Sequence, residues 1–109
     1  MYRIVLDDLV LKRDLKPIDP RDRERILRAI KKKLSEGPGD YGSPLGGGPK
    51  GFWKLRLGAY RVIFRILEKE KLVDVALVGF RRNEEAYDKM MRRVKPLGFT
   101  RRRRSSRRP

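Results

Sequence analysis

The chain has 109 residues, 30 Lys+Arg against 14 Asp+Glu and a net charge of +16, which implies one domain with a single modest core. That charge expects a polyanionic partner: nucleic acid, an anionic membrane surface or an acidic protein. Without cysteine there is no disulfide or thiolate chemistry, and without histidine the usual zinc ligand and neutral-pH proton carrier are missing, so any catalysis falls to Lys, Arg, Tyr, Asp or Glu.

Residues 2–6 (Tyr-Arg-Ile-Val-Leu) read as a short strand, and 7–15 as a short helix or turn marked by Leu9, Val10, Leu11 and Leu15. The N-terminus is no signal peptide and no apolar run approaches the length of a membrane span, so a cytoplasmic location is expected. Asp19 and Pro20 start a clear helix as N-cap and first helical residue, with Asp22 and Glu24 in the anion-favouring first turn. Ile26, Leu27, Ile30 and Leu34 form its apolar stripe, Lys31, Lys32 and Lys33 fill its last turn, and Gly37-Pro38 ends it. Residues 37–51, rich in Gly and Pro, read as a flexible connector. Gly46-Gly47-Gly48 is no phosphate-binding loop, because a strand rather than a helix follows it.

Three strands are expected over 52–57, 60–67 and 72–80. In the first, Trp53, Leu55 and Leu57 alternate with Lys54 and Arg56, the period of a strand with one buried face. Gly58-Ala59 suits a two-residue type II′ turn. The register then puts Leu57 opposite Tyr60 and Arg56 opposite Arg61, with Lys54 one pleat away. Like charges opposed across strands are destabilising, so this face expects an anion, phosphate first. Tyr60, Val62, Phe64 and Ile66 join Trp53, Leu55 and Leu57 on the core face, and Arg65 falls opposite Asp74. Leu72–Val78 is apolar on nearly both faces and suits a central strand. Strict alternation turns Arg81 away from the Arg61 face unless a bulge or strand end intervenes near Gly79. Residues 84–93 read as a closing helix, with Asn83 as N-cap and Ala86, Tyr87, Met90 and Met91 as apolar positions. Residues 101–109 are an unstructured tail whose six arginines leave +10, of the +16, on the first 100 residues. The order β-α-α-β-β-β-α implies an α+β fold: a mainly antiparallel four-stranded sheet, two N-terminal helices on its Trp53/Tyr60 face and a short C-terminal helix.

From about residue 2 to residue 93 the chain resembles the RelE/ParE toxin superfamily of type II toxin–antitoxin modules, RelE more than ParE. The resemblance is carried by Arg25-Ile26-Leu27-Arg28-Ala29-Ile30, Lys54-Leu55-Arg56, Tyr60-Arg61-Val62-Ile63-Phe64, and Val78-Gly79-Phe80-Arg81 followed by Tyr87. It implies a toxin domain over 1–96, a basic tail over 97–109 and a ribosome-dependent, metal-independent mRNA endoribonuclease cutting in the A site. The implied catalytic set is Lys54, Arg56, Arg61, Arg81 and Tyr87, with Arg56 standing where relatives often carry a second lysine. Lys54, Arg56, Arg61, Phe80 and Arg82 are the implied RNA contacts. The implied partners are a cognate antitoxin, the ribosome with its mRNA, and operator DNA through the antitoxin complex. Neither metal nor cofactor is expected, because Asp7, Asp8, Asp74, Glu84 and Glu85 form no ligand cluster. ParE-like relatives inhibit DNA gyrase without catalysis, which is the alternative, together with an inactive RNA-binding relative.

The implied chemistry runs without histidine. Attack of a 2′-hydroxyl on its own phosphate needs a base near that oxygen, cations on the pentavalent phosphate and an acid for the departing 5′-oxygen. Arginine keeps its proton, so Arg56 and Arg61 serve as stabilisers. A lysine or tyrosine base works near neutrality only with cations beside it, and the Arg56/Arg61 pair stands beside Lys54. The tail suits ribosomal RNA first, an acidic antitoxin second, or no specific partner.

Overall fold

Hydrogen bonding resolves the strands into one sheet of order β1-β5-β4-β3-β2. The computed structural model describes residues 1–45, 51–80 and 92. The strands are β1 (Arg3–Leu6), β2 (Ser43–Pro44), β3 (Phe52–Leu57), β4 (Tyr60–Leu67) and β5 (Leu72–Phe80). β1 runs parallel to β5, and the other neighbours pair antiparallel. The class is the expected α+β. The fifth strand, Ser43–Pro44, lies in the segment expected to be a flexible connector, where Ser43 pairs with Lys54 and Pro44 with Trp53. The closing helix expected over 84–93 lies outside the described residues, apart from Arg92, which is helical and exposed.

The connection from β1 makes a π-helical turn over Val10–Asp14, closed by the Leu15 N–H on the Val10 carbonyl at 3.0 Å. Helix α1 (Pro20–Ala29) starts where the sequence placed it: the Asp19 carboxylate accepts from the Arg21 N–H at 2.8 Å and Pro20 opens the first turn. It runs on through a π-helical turn over Ile30–Leu34, and a single turn, α2 (Pro38–Tyr41), follows.

The stripe predicted on α1 packs as expected. Val10, Leu15, Ile18, Ile26, Ile30 and Leu34 bury against Leu55, Val62, Phe64, Val73, Val75 and Val78, with Trp53, Leu57, Tyr60 and Ile66 at the margin. Leu45, Phe52, Ile63, Ala76 and Leu77 form a second, smaller cluster on the opposite face. β5 carries both clusters, which is why seven of its residues in succession, Leu72–Val78, are buried.

One irregularity sets the geometry of the far end. Ile63 pairs with Leu77 but Phe64 pairs with Val75, so Ala76 is an extra residue in β5. Side-chain parity inverts there. Asp74 shares a face with Arg65, whereas beyond the bulge Leu77 and Gly79 share the face of Ile63 and Arg61. Beside it, the buried Asp14 carboxylate accepts from the Val78 N–H at 2.9 Å, giving a partner to a strand amide past the end of β1.

Candidate functional site: a cationic sheet face

The β3–β4 hairpin builds the site. Gly58 takes φ +61° and Ala59 has negative φ, the signature of a type II′ turn, which needs glycine at its first position only. The turn fixes Leu57 opposite Tyr60 and Arg56 opposite Arg61. Directly opposed side chains start about 5 Å apart at Cβ, so the two guanidinium stems share one spot on the sheet. Arg56 is exposed and Arg61 half-buried. Lys54, two residues back on the same face, is half-buried between Ser43 of β2 and Ile63 of β4.

Further along the same face Arg65 is spent structurally. Its guanidinium donates to the buried Asp74 carboxylate at 3.2 Å and lies over the Phe52 ring at 5.6 Å. The contrast is informative: Arg65 has a carboxylate directly opposite, and Arg56 has a second arginine. Lys54, Arg56 and Arg61 are therefore brought together as a cationic patch, with the apolar Ile63 and Leu77 beside it.

Phe80 is not on this face. It pairs with Tyr60, their ring centroids are 5.1 Å apart at 36°, and it is half exposed at the end of β5. Arg81, Arg82 and Tyr87 lie outside the described residues. The bulge at Ala76 puts Gly79, and not Phe80, opposite Arg61. Nothing in the sequence flagged that bulge, because alanine is at home on either face of a buried strand. Among the described residues no group of three Asp or Glu side chains is arranged to hold a metal, and no helix is long and apolar enough to cross a membrane.

The sequence reading also missed a second feature. Between α1 and the β3–β4 turn opens a cleft of about 450 Å³, bounded by Asp22, Arg25, Lys33, Arg56, Leu57 and Tyr60 among others. The Tyr60 hydroxyl donates to the Asp22 carboxylate at 3.0 Å across it. Burial first, and then that bond to a carboxylate, raises the Tyr60 pKa above its ordinary 10.0.

Residues 4–85 match the family model described as the ParE toxin of the type II toxin–antitoxin system parDE. No curated protein matches the chain. Solved structures similar to this one include the RelBE2 toxin–antitoxin complex of Mycobacterium tuberculosis, at 28% identity and TM-score 0.68, over 73% of this chain and 98% of that one. The isolated RelE toxin of E. coli is similar at 22% identity and TM-score 0.61, over 86% of this chain and 99% of that one. A chain of the archaeal RelE–RelB complex of Pyrococcus horikoshii is similar at 21% identity and TM-score 0.54, over 73% of this chain and 94% of that one.

Proposed function

We propose that this chain, which belongs to the ParE toxin family of type II toxin–antitoxin systems within the RelE/ParE superfamily, acts as a RelE-like endoribonuclease that cuts mRNA in the ribosomal A site. The observation that carries the reading is the pairing of Arg56 with Arg61 beside Lys54 on one sheet face. A scissile phosphate there meets two guanidinium groups that cannot serve as bases and therefore stabilise charge as it develops. Lys54 supplies a movable proton beside them. Arg81 and Tyr87 complete the set in this reading, at the leaving 5′-oxygen and the 2′-hydroxyl, and Arg82 flanks it as an RNA contact, whereas Phe80, on the Tyr60 face, is left out of it. The product is a 2′,3′-cyclic phosphate. A face of cations with few acceptors orients RNA poorly by itself, which fits an enzyme that relies on the ribosome to hold its substrate.

The toxin domain spans residues 1–96 and the basic tail 97–109. The antitoxin complexes among the similar structures support a cognate antitoxin partner here, and operator DNA is reached through that complex. The deciding experiment is primer extension on an mRNA in a defined translation mixture. Wild type leaves new 3′ ends at A-site codons and Arg61→Ala leaves none. Intact mRNA with wild type sinks the reading. The second reading, a gyrase inhibitor, is favoured by the description of the matching family model. Loss of supercoiling that persists in Arg61→Ala supports it.

A further inference from the structure

The cleft between α1 and the β3–β4 turn opens beside Tyr60, whose side chain alternates to the face opposite Arg61, and shares Arg56 with the cationic patch. Its volume, about 450 Å³, falls in the range of small-molecule sites. Its floor is apolar, from Ile26, Ala29 and Leu57. Tyr60 offers an aromatic wall and is itself backed by the Phe80 ring at 5.1 Å. Arg25, Lys33 and Arg56 against Asp22 leave its charge positive. A ligand that suits all of these brings a flat apolar body, hydrogen-bond donors for a carboxylate, and negative charge at the other end.

The geometry points to a guanine nucleotide as the occupant of this cleft. The base lies along Tyr60, as offset aromatic pairs do. Its phosphate meets the cations of the rim. A carboxylate only accepts; Asp22 accepts from the Tyr60 hydroxyl on Oδ2 at 3.0 Å and faces the Arg25 guanidinium from Oδ1 at 3.7 Å, an exposed pair that the ligand's phosphate and base edge would divide between them. Guanine presents two adjacent donors, the ring N–H and the exocyclic amine, along one edge. Adenine places an acceptor nitrogen beside its amine, which a carboxylate repels. An acidic peptide satisfies the cations equally well but brings further carboxylates against Asp22 and leaves the aromatic wall unused.

The test is a titration of the full-length chain with guanosine 5′-monophosphate, adenosine 5′-monophosphate and inorganic phosphate, followed by amide chemical shifts and calorimetry. The expected result is movement of the Gly58, Ala59 and Tyr60 amides and a preference of about ten-fold for the guanine nucleotide. Asp22→Asn abolishes that preference, and Arg25→Ala weakens both nucleotides alike. Because Asp22 touches Tyr60, far-UV dichroism of each variant establishes that the fold is retained. Equal binding of all three ligands overturns the proposal, leaving a patch for any anion. So do shifts confined to Lys54, Arg56 and Arg61, or tighter binding of an oligoglutamate peptide. The titration needs neither ribosome nor cleavage, so its failure and the failure of the ribonuclease reading are told apart.

Discussion

At the residue scale, the opposed charges are of two kinds, the like-charged Arg56 with Arg61 and a pair that holds the fold. Arg65 and Asp74 hold it. Asp74 is nearly inaccessible and Arg65 is one-fifth exposed, so the pair is largely out of water. Removing one partner strands a buried charge, which costs about 3–5 kcal/mol. Arg65→Met is therefore expected to lower the denaturation midpoint sharply, and adding Asp74→Leu should restore much of it; urea unfolding of both variants checks this. Tyr60 gives the pH counterpart. Its phenol is held above 10.0 by burial and by the bond to Asp22, so the native state prefers the protonated, donating form. The stability this adds is complete below pH 10 and disappears as pH climbs through the raised value, because a phenolate beside Asp22 is repelled. Melting temperature should fall with rising pH above 10 more steeply in wild type than in Tyr60→Phe.

At the element scale, two glycines do different work. Gly58 holds φ +61° at the hairpin turn with open space around it, so alanine there meets only backbone strain of about 1–2 kcal/mol. A Cβ on Gly42 would come 2.6 Å from the Phe64 ring, 3.0 Å from the Pro38 carbonyl and 3.1 Å from the Lys54 carbonyl. Phe64 is fully buried and cannot retreat. Gly42→Ala is expected to cost about 1–3 kcal/mol and, unlike Gly58→Ala, to disturb β3 next to Lys54. Comparing the two variants by chemical denaturation and by the Lys54 amide shift tests this. The hairpin, its register, the α1 cap and the Arg65–Asp74 pairing were all legible in the sequence. Each rests on a local rule: alternation, turn chemistry or capping. β2 was not legible, since two residues ending in proline carry no periodicity. Nor was the bulge at Ala76, because β5 is apolar on both faces and a slip of one residue leaves no trace in its pattern. Of the candidate site, the placement of Lys54, Arg56 and Arg61 on one face was legible because it follows from the hairpin register. The face of Phe80 was not legible because it depends on that bulge, and the Asp22–Tyr60 contact was missed because it joins residues 38 apart in the chain.

At the scale of the molecule, charge governs association. The net +16 is spread over domain and tail, so affinity for RNA should fall steeply with salt. Three cations on the sheet face imply that Lys54, Arg56 and Arg61 together contribute about −2 to the slope of log K against log salt for single-stranded RNA. The triple alanine variant should flatten the slope by that amount in filter-binding or anisotropy measurements. One edge of the sheet, by contrast, discourages self-association. Its β2 edge is two exposed residues long and ends in Pro44, which has no amide hydrogen to offer. A second copy approaching that side finds almost nothing to zip onto, and like net charge pushes it away. Fibril growth from the β2 edge is thus checked both by a missing proton and by long-range repulsion, and the chain can accumulate at high concentration without polymerising through that edge.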